Sequence, residues 1–270
     1  MLRDRIISAA VAIAILVPVL AFGGVIGVTV VVAVCATIAA FELSRNLSSL
    51  KVSPGRELTL ALCIGIALAF SWLPAPGIPA LIVLLPLLIL LLHLFLYNVI
   101  DQTTESAAHM ALVTSYVAVP LAHAILLRRL DMGVAWVFFV LVVISLGDAG
   151  AYFAGKYCGK HHFSKRVSPA KTVEGLFGGV AGCVAGMLVM KLVAPAMGSL
   201  PALFWAAVLL AIVGPLGDLT ASALKRRLGV KDFGTLMPGH GGILDRADAL
   251  IMGFPVLYYY LTLTGIAVPA

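Results

Sequence analysis

The sequence predicts an all-α, polytopic integral membrane protein with about nine transmembrane helices and no large soluble domain. Three observations predict it. Of 270 residues, 62% are hydrophobic and only 11% are charged, too little polar surface to wrap a water-soluble core. Mean hydropathy is +1.11. The apolar residues fall into runs of about 20, the length a helix rising about 1.5 Å per residue needs to cross roughly 30 Å of hydrocarbon.

In chain order the runs cover roughly 5–22, 24–42, 57–74, 79–97, 109–127, 133–155, 173–194, 202–224 and 248–267. The first follows Arg3 and Arg5 like a signal peptide. No small-residue cleavage site with a polar mature start comes after it, so it reads as a retained span. Turn formers punctuate the rest: Gly23-Gly24, Ser53-Pro54-Gly55, Pro74 to Gly77, and Pro195 to Pro201. With the N-terminus in the cytoplasm, alternate loops hold 15 of the 18 basic residues, as the positive-inside rule requires. Arg128 and Arg129 dissent, since their short loop would be external.

The net charge of +6 sits in short loops between spans, which suits anionic lipid and nucleotide phosphate and argues against nucleic acid. Cys35, Cys63, Cys158 and Cys183 are scattered and read as packing residues. His93, His109 and His123 have no acidic or cysteine partner at ligand spacing and read as structural. Tyr258-Tyr259-Tyr260 reads as an interfacial anchor. Residues 1–140 form N-terminal helices, about five spans, with few acids inside them. Residues 141–270 carry acids within the spans and two basic loops, so chemistry belongs there.

Asp218 interrupts an apolar run, and a mid-bilayer carboxylate costs at least about 2.5–3.5 kcal/mol. Either it reaches the headgroups from a helix end, or a cation offsets the cost. On a helix Asp218, Ser222 and Lys225 share one face, as a metal-phosphate site would need. Asp245 and Asp248, at i and i+3, can face one hard cation or can simply cap a helix start. Between these acids lie Lys231-Asp232-Phe233-Gly234 and Pro238-Gly239-His240-Gly241-Gly242. Such a loop lets backbone N–H groups approach phosphate oxygens, with Lys225, Arg226, Lys231 and Arg246 around it. A flexible turn with solvated charges is the alternative. A third cluster joins Asp148 to Ser168-Pro169-Ala170-Lys171-Thr172-Val173-Glu174, which equally suits an ordinary helix start.

Together Ser222 to Arg226, Lys231-Asp232, Pro238 to Gly242 and Asp245-Arg246-Ala247-Asp248 resemble the phosphatidate cytidylyltransferase (CDP-diacylglycerol synthase) family. The resemblance covers residues 145–250 by motif and the N-terminal spans by hydropathy. Ala170 departs from it, standing where the family often has a basic residue.

The resemblance implies CTP from the cytoplasm and phosphatidic acid from the bilayer as substrates. It also implies a divalent metal, usually Mg2+, with room for a second cation such as K+. Asp218, Asp245 and Asp248 would hold the metal. Asp218, Lys225, Asp245 and Arg246 would be catalytic. Asp148, Ser168, Lys171, Glu174, Ser222, Arg226, Lys231, Asp232, His240, Gly241 and Gly242 would bind substrate. It is compatible with a homodimer, and the short N-terminus and compact loops point to a bacterial inner membrane with the site facing the cytoplasm.

A secondary transporter would also use intramembrane acids and broken helices, but no inverted repeat is visible. A CDP-alcohol phosphotransferase would continue differently after Asp248, where this chain reads Ala249-Leu250-Ile251-Met252. The intact acids argue against a noncatalytic lipid-binding relative.

Overall fold

The computed structural model describes residues 14–47, 55–97, 103–162, 167–236 and 241–268, and among them no strand forms. Residues 14–22 are helical (α1). After them come α2 (Gly24–Leu47), α3 (Arg56–Trp72), α4 (Gly77–Tyr97), α5 (Thr103–Val113), α6 (Val119–Arg128), α7 (Gly133–Cys158), α8 (Val173–Val193), α9 (Leu200–Leu228) and α10 (Leu244–Leu263). Among the described residues six stretches are long and apolar enough to cross a bilayer: α2, α4, α5 running through α6, α7, α8 and α9. This is a multi-pass membrane protein. On α4, Val83, Leu84, Leu87, Leu88, Leu91 and Leu94 are all exposed, an apolar face that only lipid can cover at low cost.

Of the helix ends that differ from the hydropathy expectation, three have an evident cause. α2 runs on to Leu47 because Glu42, Arg45 and Asn46 extend the helix in polar residues that a hydropathy window rejects. α5 starts at Thr103, since Thr103, Thr104, Glu105 and Ser106 make a polar first turn with an acid at the positive end of the helix dipole. α10 starts at Leu244, four residues early, because the Glu42 carboxylate of α2 accepts its first N–H group.

The contacts divide the chain into two compact units. The first comprises residues 1–126 and 228–246. Here Ala36, Ala39 and Ala40 of α2 are buried, as are Cys63, Ile66, Ala67 and Phe70 of α3. Small residues spaced three and four apart let helix backbones come close without a hydrophobic drive from water. His93 and His123 are buried, and His123 packs edge-on against Phe70 with ring centroids 5.3 Å apart while its Nδ1 bonds the Val119 carbonyl at 2.8 Å. Thr114–Ala118 forms a π turn between α5 and α6. Pro120 follows directly; its ring displaces the carbonyl four residues back, and a widened turn accommodates that.

The second unit comprises residues 127–227 and 247–270. Its tightest pair is α7 against α8. Gly178, Gly182 and Gly186 repeat every fourth residue on α8, and a Cβ on any of them would meet α7 backbone at Gly150, Leu146 or Val143. Gly217 plays the same part on α9, where a Cβ would run into the Asp248 carbonyl of α10. The Tyr260 hydroxyl donates to the Ala202 carbonyl at 2.9 Å, fixing the other end of that pair.

Candidate active site

In the second unit, α8 begins at an N-cap, Thr172, whose hydroxyl accepts from the Gly175 N–H at 3.1 Å. This fixes Lys171 one residue before the N-cap. The Lys171 ammonium lies 2.7 Å from Asp218 Oδ2 and donates to the Pro215 carbonyl at 3.0 Å, both on α9. Ser222, one turn after Asp218, donates to its Oδ1 at 3.4 Å. Asp148, Ser168, Lys171 and Asp218 line one cavity of about 320 Å³ with Tyr152, Thr172 and Pro215. Four residues singled out in the sequence, from three separate segments, thus meet here. Asp248 belongs to the same environment: the charges of Asp218, Lys225 and Asp148 all act on it, and its Oδ1 accepts from the Ala249 N–H at 2.8 Å. Arg226 reaches the Val167 carbonyl at 3.4 Å.

Glu174 accepts from the Lys160 N–H at 3.1 Å and the His161 N–H at 3.2 Å, and pairs with His161 Nδ1 at 2.6 Å. It ties the start of α8 to the end of the α7 loop.

A larger cavity, about 690 Å³, lies at the opposite ends of α7 and α8, with Arg128 and Asp131 its only charged lining residues. Gly133 there and Asp148 are fifteen residues apart on one helix, about 22 Å at 1.5 Å per residue. Size therefore does not mark the chemistry, and the acids do.

The first unit holds the glycine loop. Asp245 is 7% exposed, and its Oδ2 accepts from the Phe233 N–H at 2.8 Å and the Gly242 N–H at 2.9 Å. Gly241 has φ +81°, and a Cβ there would press on the Asp245 carboxylate, so only glycine fits. Glu42 of α2, 6% exposed, accepts from the Ile243 N–H at 3.1 Å through Oε1 and the Leu244 N–H at 3.0 Å through Oε2. Asn46, one turn on, donates to the Phe233 carbonyl at 2.8 Å. The N–H groups of Gly242, Ile243 and Leu244 are thus already accepted by carboxylates, whereas the glycine content alone led us to expect them facing phosphate. Lys231, Asp232 and Arg246 are exposed. His240, with Pro238 and Gly239, lies outside the described residues.

Sequence reasoning passed over Glu42 and Asn46. The signal was present: Glu42 is an acid following Ala39-Ala40-Phe41 in an apolar run, the anomaly that singled out Asp218.

Among the described residues no three His, Cys, Asp or Glu side chains form a group able to hold a metal by themselves. Asp148, Asp218 and Asp248 nonetheless offer only hard oxygen donors, and the Lys171 ammonium already seats a positive charge against Asp218. That donor set fits magnesium, which takes one or two carboxylates and completes its shell with water and substrate phosphates.

Apolar spanning helices that gather carboxylates, a lysine and a serine into one cavity define a membrane protein with a charged cavity among its helices. The chain belongs to the Cytidylyltransferase family, whose profile matches residues 3–264. It is 35% identical over 268 residues to the phosphatidate cytidylyltransferase of Bacillus subtilis (strain 168), covering 97% of this chain and 98% of that one. It is 33% identical over 270 residues to the enzyme of the same name from Staphylococcus epidermidis (strain ATCC 12228 / FDA PCI 1200), covering 97% of this chain and all of that one. A Brucella suis biovar 1 phosphatidate cytidylyltransferase is 44% identical over 130 residues, 47% of each chain.

Proposed function

We propose that this chain is a phosphatidate cytidylyltransferase, transferring CMP from CTP to phosphatidate and releasing pyrophosphate, with CDP-diacylglycerol as product. The observation that carries the reading is the Lys171–Asp218 pair, 2.7 Å apart in a cavity shared with Asp148 and Ser168, in a chain matched along its length by relatives of that name. A phosphatidate oxygen attacks the α-phosphorus of CTP, the new P–O bond forms, and the bond to the β-phosphate breaks with its electron pair leaving on pyrophosphate. Such chemistry asks the protein for alignment and charge neutralisation more than for covalent help.

Lys171, Lys225 and Arg226 neutralise phosphate oxygens from the second unit. Ser168 and Ser222 supply hydroxyl donors there. Asp218 orients the Lys171 ammonium. Asp218 and Asp248 would hold Mg2+, which when bound neutralises phosphate charge and orients the leaving group. Asp245 already accepts two N–H groups on Oδ2 and is assigned first to fixing the glycine loop. We place the chain in a bacterial inner membrane with nine spans, a cytoplasmic N-terminus and the site at the cytoplasmic headgroup level.

The test uses detergent-purified protein with labelled CTP, Mg2+ and phosphatidate. Label should enter the lipid phase only when phosphatidate is present. EDTA should remove at least about 10²-fold of the rate and excess Mg2+ should restore it, as expected when a cation carries phosphate neutralisation. Label confined to the aqueous phase under all conditions rejects the reading.

A further inference from the structure

We propose that Glu42, on the second helix and 200 residues before the signature loop, is a positioning residue of the transfer reaction. Its carboxylate takes the place a phosphate would otherwise occupy at the start of α10. The inference rests on the activity proposed above.

A helix start leaves its first N–H groups without intrahelical partners, and such an end readily attracts an anion. At α10 the two oxygens of Glu42 accept from successive N–H groups, Ile243 at 3.1 Å and Leu244 at 3.0 Å. The fit is close. A Cβ at Gly234 or at Gly242 would run into the Glu42 carboxylate, so a side chain at either position would displace the glutamate from these bonds. Asn46 adds a bond to the Phe233 carbonyl at 2.8 Å, and Asp245 returns from α10 to Phe233 and Gly242.

The two ends of the loop are thereby held to one face of α2, and the first turn of α10, with Asp245 and Arg246, is set in place. With these N–H groups occupied, none of the three is left to bind a triphosphate.

Glutamine is the discriminating substitution. It keeps the shape, but its NH2 faces one of the two N–H donors, so donor meets donor where an acceptor stood. A charge-assisted hydrogen bond contributes about 1.5–3 kcal/mol, and each 1.36 kcal/mol is tenfold.

In the full-length, detergent-purified protein, Glu42→Gln should therefore raise hydrogen–deuterium exchange at Phe233 and at residues 242–244 at least about tenfold. Exchange in α3 should stay unchanged. kcat should fall about 10–100-fold with KM for CTP within about threefold, since the loss is of alignment and not of uniform binding. Glu42→Ala should show the same pattern, larger.

Unchanged kcat with unchanged loop exchange overturns the proposal. So does protection lost equally over α2, α3 and the loop, which would make Glu42 a folding residue alone. If the unsubstituted protein transfers no CMP, the assigned activity fails instead, and the exchange comparison still decides whether the clamp exists.

Discussion

Asp218→Asn is expected to lower kcat by at least about 10³-fold, the scale on which removing a preorganised charge from a reaction centre acts, while the protein still inserts and purifies. The carboxylate does two things at once that an amide cannot combine. It holds the Lys171 ammonium at 2.7 Å, and in the proposed reaction it supplies a negative oxygen for the divalent cation. An asparagine has a single, uncharged acceptor oxygen: turned to Lys171 it sets its NH2 toward the divalent cation, and turned to the divalent cation it leaves Lys171 with the Pro215 carbonyl. The fold has less at stake. Asp218 is 40% exposed in its side chain, and ion pairs that water reaches contribute about 0–1 kcal/mol. The check is kcat for CMP transfer beside the thermal midpoint in detergent. Turnover within about threefold of the unsubstituted protein would remove Asp218 from the reaction, and a collapsed midpoint would show it to be structural.

Asp148 and Asp218 were legible because each breaks a local rule, whereas their meeting with Ser168 and Lys171 in one cavity was not. An acid inside an apolar run is expensive in lipid, so Asp148 and Asp218 point to themselves. The positions of the helices were legible for a similar reason: lipid demands long apolar runs, and glycine and proline mark the breaks.

What was not legible depends on contacts between segments far apart in sequence. Glu42 obeys the same rule as Asp218, yet its partners are backbone N–H groups 200 residues away, which no spacing reveals. The glycine loop shows the same limit. Its composition correctly says that the backbone is closely approached, but the approaching groups at Gly234 and Gly242 are the protein's own carboxylate. The early start of α10 is a consequence of that contact, since hydropathy places the helix at the apolar residues and not at the capping groups.

The 26 glycines look interchangeable in sequence, but the structure ranks them, and the ranking makes the second prediction. At Gly182 a Cβ would meet the Leu146 carbonyl and sit 3.1 Å from the Gly147 Cα. The obstacles are backbone, so no side chain can swing aside and the two helices must separate. Small residues every fourth position are what permit van der Waals contact between helices where lipid removes the hydrophobic drive. Gly182→Ala should therefore destabilise by about 2–3 kcal/mol, the scale of overpacking in a tight interface, which lowers the thermal midpoint by about 4–12 °C for a chain of this size. Gly65 of α3 is the control, because nothing lies within 4 Å of the Cβ that an alanine would add. There the alanine should leave the midpoint unchanged or raise it, since alanine favours a helix over glycine by about 1 kcal/mol. Both midpoints can be read from thermal unfolding of the purified protein in one detergent. Equal midpoints for the two variants would mean that α7 and α8 do not pack through their glycines. In that case the Thr172 cap would lose the helix pair that supports it, and the placement of Lys171 against Asp218 would need another cause.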